Sequence, residues 1–241
     1  MLNKRSRYVA IGAVLAGCVG GYLIWVQRAS TAANAAYDPR INPADFVPDI
    51  NNKYFTLKPG TKFTYQDKRG IERIELTVTN ETKKLMGVTT RAVRVTEWRN
   101  GALKEDTTDW YAQDKTGNVW YFGEAVNNYK DGKLIHHRGS WQAGVKGAKP
   151  GIVMRADPKV GDKYRQEYYK GHAEDMGTVV ATDKKVTVPY GTFEKCVQIK
   201  DSSPLSVIAE YKYYCPGVAF LVREETFFGG VEADLVGVSS Q

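Results

Sequence analysis

The stretch LKPGTKFTYQ at residues 57–66 joins a Pro-Gly turn to a run in which apolar and polar side chains alternate. The chain repeats this pattern about a hundred residues later, as PKVGDKYRQEY at residues 158–168. A glycine-containing turn followed by alternation with a period of two is typical of a β-strand with one buried face. We therefore predict that the chain contains one turn-and-strand unit written twice.

The similarity between the two halves continues downstream at a nearly constant offset. Residues 83–84 and 91–97 match residues 184–185 and 195–201, and residues 110–121 match residues 213–221. Self-similarity at a fixed offset indicates that one structural unit packs against its copy. We predict a β domain at 53–241, made of pseudo-repeats at 53–138 and 152–241 that a Gly-rich loop at 139–151 joins.

Strand patterning dominates the body of the chain. Ile74, Leu76 and Val78 share one face of a run whose other positions are polar, and the chain holds 15 tyrosines. These residue types favour strands, and each sheet must bury its apolar face against a second layer. We predict an all-β, antiparallel meander. Its two pseudo-repeats, of about 90 residues each, are fused into one curved sheet, barrel or sandwich after an N-terminal hydrophobic helix.

The N-terminus resembles an export signal or a membrane anchor. Basic residues precede an uncharged run at residues 8–26, which as a helix would be about 28 Å long and able to cross a bilayer. Three outcomes remain open: lipidation at Cys18 within the lipobox-like LAGC, cleavage after the ANA at 33–35, or an uncut anchor. We assign 1–28 to this segment and 29–52 to a linker or edge-hugging arm. Each outcome places the body outside the cytoplasm, on the periplasmic or cell-surface side of the envelope.

The formal net charge of +7 does not indicate a nucleic-acid partner. Lys4, Arg5, Arg7 and Arg28 carry four of these charges, which leaves +3 on the remainder. Acidic and basic residues are interspersed there, whereas a nucleic-acid groove needs clustered Lys and Arg with stacking aromatic residues. We predict no nucleic-acid partner.

Cys196 and Cys215 are the two cysteines of the exported body. They lie on two strand-like runs and are equidistant from a connection centred between Leu205 and Ser206. A hairpin centred there would place them opposite each other, and paired cysteines usually bond in an oxidising compartment. We predict a structural disulfide; the alternative is two buried free thiols.

Candidates for chemistry are few. His172 and Glu174 can share one face of a strand, and Asp175 and Glu167 lie near them in sequence, which makes these four a candidate polar or metal site. The alternative is a polar turn. The chain contains no zinc-protease, nucleophile-elbow, phosphate-loop or dinucleotide motif. We assign no catalytic residue, metal or cofactor, and we favour a protein that is not an enzyme.

Aromatic residues give a second set of candidates. Trp141 lies in the Gly-rich loop, where it either contacts a ligand or plugs one end of a barrel. Trp120 and Tyr121 lie in an aromatic run that suits either a stacking platform or the core. We predict these three residues as candidate ligand-binding positions, with Trp120 and Phe122 on one face of the strand and Tyr121 on the other.

Two stretches carry a resemblance to known proteins. VTVPYGTFEKCVQIKD (186–201), followed by YKYYCPGVAFLVREE (211–225), resembles the lipoprotein-carrier (LolA/LolB-like) open β-barrels. DWYAQDKTGNVWYFGE (109–124), GAKPGIVM (147–154) and YRQEYYKGHAEDM (164–176) resemble uncharacterised secreted bacterial proteins. The resemblance implies a β shell with a lipophilic cavity, and it supplies no functional residue.

Three functions follow from these features as hypotheses. The first is a non-enzymatic envelope protein, bound to the membrane through its N-terminal segment, whose β shell binds a lipophilic or polymeric ligand. The second is a structural or interaction module of an envelope assembly. The third is a hydrolase of an envelope polymer acting through Glu174 or Asp175, which would require carboxylates with disturbed pKa values in a cleft.

Overall fold

The structure is a computed structural model that describes residues 37–47, 49–218 and 220–240. Within these ranges it holds no α-helix, and one 3-10 turn at Pro43–Asp45 precedes the strands. The strands in these ranges are, in chain order, β1 (Phe46–Val47), β2 (Asn51–Asn52), β3 (Phe55–Thr56), β4 (Thr61–Gln66), β5 (Glu72–Leu85), β6 (Val88–Arg99), β7 (Ala102–Asp114), β8 (Val119–Lys130), β9 (Lys133–His136), β10 (Trp141–Gln142), β11 (Lys149–Met154), β12 (Lys163–Arg165), β13 (Glu167–Tyr168), β14 (Met176–Val188), β15 (Gly191–Ser202), β16 (Glu210–Cys215), β17 (Phe220–Thr226) and β18 (Val231–Ser240).

One antiparallel sheet contains nearly all of these strands. Its path runs β12-β14-β15-β16-β17-β18-β4-β5-β6-β7-β8-β11-β13, with β1 attached to β7 and with β9 and β10 attached to β8. The two halves join where β18 pairs with β4, with Val238 opposite Phe63. The sheet curves until it is nearly closed into a barrel. The predicted all-β meander fused into a single curved sheet is thus confirmed.

The two ends of the strand path meet around a single residue. β12 ends at Arg165 and β13 begins at Glu167, so that only Gln166 separates the first and last strands of the path. Gly151 of β11 lies against this point: a Cβ atom there would be 2.3 Å from the Gln166 carbonyl carbon and 2.6 Å from the Arg165 oxygen. Since backbone atoms cannot yield as a flexible side chain can, only glycine permits this closure.

The interior is built by the alternation that the sequence displays. Ile74, Leu76 and Val78 are all buried, and Val93 and Val95 of the next strand are buried with them. Each such side chain contributes roughly 1.5–3 kcal/mol by leaving water. Burial of one set of alternate positions therefore fixes which face of each strand points inward, as predicted.

The first hairpins of the two halves have the same register. Lys62 lies opposite Thr77 in β4–β5, and Lys163 lies opposite Thr178 in β12–β14. The turn before each hairpin makes the same backbone hydrogen bond, from Gly60 N–H to the Val78 oxygen (2.8 Å) and from Gly161 N–H to the Val179 oxygen (2.9 Å). The quoted turn-and-strand stretches thus occupy equivalent positions in the sheet.

The sequence match is wrong by two residues in the next strand. It aligned Val95 with Ile199, but Leu76 pairs with Val95 while the equivalent Gly177 pairs with Asp201. Asp201 follows Gly177 by 24 residues, whereas Val95 follows Leu76 by 19, so the β14–β15 hairpin is longer than its counterpart in the first half. As a result, the second half carries a carboxylate where the first half carries a valine.

Cys196 and Cys215 form a disulfide, as predicted. They lie one position beyond the Val197–Tyr214 pair, on β15 and β16. The pairing closes a hairpin with a sequence separation of 19.

The part of the 29–52 segment that the structure describes lies on the barrel. The Tyr37 hydroxyl donates to the Pro150 oxygen at 2.9 Å, and β1 pairs with β7. The apolar run at 8–26 and Cys18 lie outside the described residues. No helix among the described residues is long and apolar enough to span a bilayer.

We expect Gly151→Ala to lower the free energy of unfolding by about 2–3 kcal/mol, because the new methyl group would overlap backbone at the closure of the sheet. Chemical denaturation measures the change. Gly237→Ala is the matched control, since its Cβ atom would meet only Thr64 Cβ, at 4.0 Å. Equal stability of the two variants would contradict the proposed tightness of the closure.

Reduction of the Cys196–Cys215 disulfide should lower the free energy of unfolding by about 3 kcal/mol, because the unfolded chain gains freedom. Urea unfolding with and without a reductant measures this. The Cys196→Ser/Cys215→Ser variant, which keeps Cys18, should not respond to the reductant. If the reductant leaves the urea midpoint of the wild-type protein unchanged, the disulfide does not contribute the expected stability.

Candidate functional site

Three stretches singled out in the sequence lie side by side in the barrel. Residues 109–124 form parts of β7 and β8, residues 147–154 include β11, and residues 164–176 include β13. Gly151 lies opposite Tyr121, and Pro150 lies opposite Glu167. The three stretches are therefore neighbours at the closure of the sheet, where they surround one buried cluster of polar residues.

Buried carboxyl groups are concentrated around this point. Lys212 is the only buried Lys or Arg side chain among the residues that the structure describes. The buried acidic side chains in this part of the barrel and in the adjoining strands are Glu97, Glu105, Asp109, Glu124, Glu167, Asp175, Asp201 and Glu224. Because an isolated charge is costly to bury, this imbalance has to be relieved by protonation or by a cation.

Lys212 and Asp201 form the central ion pair. Their Nζ and Oδ2 atoms are 2.7 Å apart, and both side chains are almost fully buried. The Gln166 amide donates to the other Asp201 oxygen at 2.9 Å. Burial raises the pKa of Asp201, and the ammonium group opposes that rise. Burial lowers the pKa of Lys212, but Asp201 and the surrounding acids outweigh it, so the pKa of Lys212 lies well above its usual value.

Asp109 and Tyr121 form a second buried pair. The Tyr121 hydroxyl donates to Asp109 Oδ1 at 2.7 Å. Burial raises the pKa of Asp109 to about 8, although the hydrogen bond to Tyr121 opposes the rise. The Tyr121 ring stacks on Tyr111 with 5.0 Å between centroids and meets the edge of Trp141 at 5.4 Å. This hydrogen bond and these ring contacts hold the aromatic wall of the site in place.

Glu167 and Asp175 keep oxygen atoms that find no hydrogen-bond partner among the described residues. Burial raises the pKa of Glu167 well above its usual value, and the neighbouring Asp175 adds to the rise. Trp141 lies beside Glu167 and opposes that rise, although its indole N–H falls short of a hydrogen bond. Burial also raises the pKa of Asp175, to about 7, although the positive charge of Lys212 opposes the rise.

These groups line a small cavity. Its volume is about 30 Å³, and its wall consists of Phe55, Tyr111, Tyr121, Val153, Gln166, Glu167, Asp175, Asp201, Lys212 and Tyr214. A water molecule needs roughly 10–15 Å³ of such space, so the cavity has room for two waters or for one small head group. Carboxyl oxygens, one ammonium group and aromatic faces are the chemistry that it presents.

The structure brings together four of the seven predicted candidate residues. Glu167 and Asp175 line the cavity with Tyr121, and Trp141 packs behind them. Trp120 lies on the opposite face of β8, where its indole N–H donates to Asp114 at 2.8 Å. Phe46 packs against both Trp120 and Phe122, which agrees with their predicted common face.

His172 and Glu174 lie apart from the cavity. The exposed His172 ring stacks on Tyr169 at 4.3 Å, and Glu174 accepts a hydrogen bond from Gly171 N–H at 2.7 Å. Within the described ranges, no group of three or more His, Cys, Asp or Glu side chains is placed to hold a metal ion. His172 thus lies in an exposed turn and the half-buried Glu174 follows that turn, so the two do not share one side of a strand.

Sequence reasoning missed most of the acidic cluster, although a signal for it exists. Glu124 precedes Val126 at an alternate position, and Asp201 follows Val197 and Ile199 in the same way. All of these positions are buried. The pattern that identifies these residues is thus a carboxylate at a strand position that the alternation assigns to the buried, apolar face.

Comparisons of this chain with protein-family models, with curated proteins and with solved structures found no match.

We expect the free energy of unfolding to fall as the pH rises from about 5 to about 8. Folded Asp175 holds its proton up to about pH 7, whereas an unfolded Asp releases it near pH 4. The folded state therefore binds more protons in this window, and stability is lost as the pH rises through it. Asp175→Asn should remove about 3 kcal/mol of this loss and be more stable than wild type at about pH 8.

Denaturant unfolding across this pH range measures the effect. Asp131→Asn is the control, because Asp131 is exposed at the β8–β9 turn. An Asp175→Asn variant that loses stability as steeply as the control would overturn the role of Asp175.

Proposed function

We propose that this is a non-enzymatic protein of the cell envelope that binds a polymeric ligand through an amine-bearing group. The N-terminal segment would anchor or export the body, and the cavity beside Glu167 and Asp175 would receive the amine. The observation that carries the proposal is the excess of buried carboxyl groups over the single buried Lys212, with carboxyl oxygens of Glu167 and Asp175 lacking partners among the described residues.

An ammonium group is the ligand that best relieves this excess of acid. It can donate hydrogen bonds to Glu167 and Asp175, the groups that otherwise retain protons. Rings of Tyr111, Tyr121 and Phe55 also line the cavity, and aromatic faces attract cations. Binding would replace protons by the ammonium charge, which links affinity to pH.

The size of the cavity favours a head group over an acyl chain. A pocket for a drug-sized or lipid-sized ligand measures roughly 300–1,000 Å³, far more than the cavity volume here. Of the two predicted ligand classes, lipophilic and polymeric, the structure therefore gives more support to a polymer whose amine enters while its chain remains outside.

The envelope location draws support from the disulfide. Cys196 and Cys215 are bonded, and such bonds persist mainly in oxidising compartments. The basic start and apolar run of the sequence point to the same side of the membrane.

One observation favours a second function. Glu167 and Asp175 have raised pKa values beside a cavity, as a pair of acid and base groups in a polymer hydrolase would. Incubation with a polymer separates the two functions, because a hydrolase shortens the polymer and a binding protein leaves it intact.

We expect a lysine hexamer, whose amines end flexible side chains, to bind at about pH 7 and its Nε-acetylated counterpart to bind at least about tenfold more weakly, because acetylation removes the ammonium charge. Isothermal titration calorimetry in buffers of different ionisation enthalpy should also show proton release on binding. Glu167→Gln should weaken binding of the lysine hexamer by about tenfold or more, and Asp131→Asn should bind it as wild type does.

Two results would overturn the proposal. Equal affinity for both hexamers, or an unchanged affinity in Glu167→Gln, would exclude the cavity as an amine site. Shorter oligomers in the mixture after incubation, detected by mass spectrometry, would identify the protein as a hydrolase instead.

A further inference from the structure

One end of the barrel carries an exposed aromatic tip, made of Val207, Phe227 and Phe228. Val207 lies in the connection from β15 to β16, and the two phenylalanines lie in the turn from β17 to β18. Phe228 is 91% exposed and Val207 is fully exposed. Large apolar side chains exposed together at a loop tip mark an interaction site more often than a chance arrangement.

A hydrogen-bonded turn presents these phenylalanines. The Gly229 N–H donates to the Thr226 oxygen at 2.9 Å, and the Thr226 N–H donates to the Gly230 oxygen at 2.8 Å. Phe227 and Phe228 therefore occupy the two central positions of a β-turn, where Gly, Asn, Asp and Ser are the usual residues. The turn itself therefore does not require apolar side chains at these positions.

Within the tip, Phe227 contacts side chains of neighbouring strands, whereas Phe228 contacts mainly Phe227. The Phe227 ring stacks on Tyr211 with 5.9 Å between centroids, and the Lys200 ammonium group lies 5.1 Å from the Phe227 ring centroid. Phe228 meets the edge of Phe227 at 5.6 Å and points away from the barrel. The supported ring thus holds the exposed one outward.

Basic side chains lie in a turn at the same end of the sheet as the tip. β18 leaves the aromatic turn and pairs with β4, whose following turn carries the exposed Lys68 and Arg69. Arg69 contacts Asp67 at 3.2 Å and keeps most of its side chain exposed. An aromatic side chain with Lys and Arg beside it suits the interface of a bilayer, where rings sit at headgroup level and cations face anionic lipids.

The length of the preceding chain limits where this tip can lie. The apolar run at 8–26 ends eleven residues before Tyr37, and eleven extended residues reach at most about 40 Å. If that run is held in a bilayer, the barrel stays within about its own dimensions of the lipid surface. Because the anchor already keeps the barrel near the lipid, a second membrane contact on the body then loses little additional translational entropy.

We propose that the aromatic tip inserts into the headgroup region of a bilayer that contains anionic phospholipid, with Lys68 and Arg69 against the lipid phosphates. This contact orients the barrel at the membrane. It rests on the predicted envelope location and not on the amine site, so either proposal can fail alone.

The test places a fluorescent reporter at the tip of the full chain. Phe228→Trp and the control Tyr190→Trp each add an indole at an exposed aromatic position. Tyr190 lies in the β14–β15 turn, where its N–H donates to the Leu235 oxygen in β18 rather than contacting the aromatic tip. Both variants are mixed with or reconstituted into phosphatidylethanolamine vesicles with a minor fraction of phosphatidylglycerol, with and without brominated acyl chains. The wild-type tryptophan emission is subtracted.

We expect brominated lipid to reduce the added emission of Phe228→Trp about twofold and to leave that of Tyr190→Trp nearly unchanged, because only the first indole would reach the acyl boundary. Replacing phosphatidylglycerol by a zwitterionic lipid should weaken the quenching.

Equal quenching of the two variants would overturn the proposal and leave the N-terminal segment as the sole membrane contact. Sedimentation velocity without vesicles tests a second copy of the chain as the occupant. A dimer that dissociates in Phe228→Ser would overturn the lipid assignment, whereas a monomer that shows tip-specific quenching supports it.

Discussion

The closure of the sheet around Gln166 is the constraint on which the rest of the structure depends. The first and last strands of the path are consecutive in the chain at this residue, and Gly151 allows their backbones to meet. Without closure, both strands would present unpaired edges to solvent. The Gln166 side chain also donates to Asp201, so the residue that closes the barrel belongs to the polar site as well.

Closure also explains why the acidic residues collect in one place. Asp109 and Glu124 come from the first half, and Glu167, Asp201 and Lys212 come from the second. Each occupies an inward position on its own strand, where an apolar residue is the usual choice. Such an arrangement lowers stability at neutral pH, and a functional gain commonly accounts for a feature of that kind.

The two halves diverge where the site requires it. Their first hairpins share a register, but the longer β14–β15 hairpin brings Asp201 to the position that Val95 occupies in the first half. The substitution introduces the partner of Lys212. The duplicated pattern thus supplies the shell, and the longer hairpin of the second half supplies part of the site.

The sequence by itself determined the all-β class, the inward face of most strands and the position of the disulfide, because period-two alternation and turn residues act locally. It also drew attention to the three stretches that meet at the site, although it did not reveal that they meet. Only the tertiary structure decided that Glu167 and Asp175 share a cavity with Asp201 while His172 faces solvent. The physical reason is that bulges and barrel closure set which distant strands become neighbours, and neither is encoded in the alternation of any single strand.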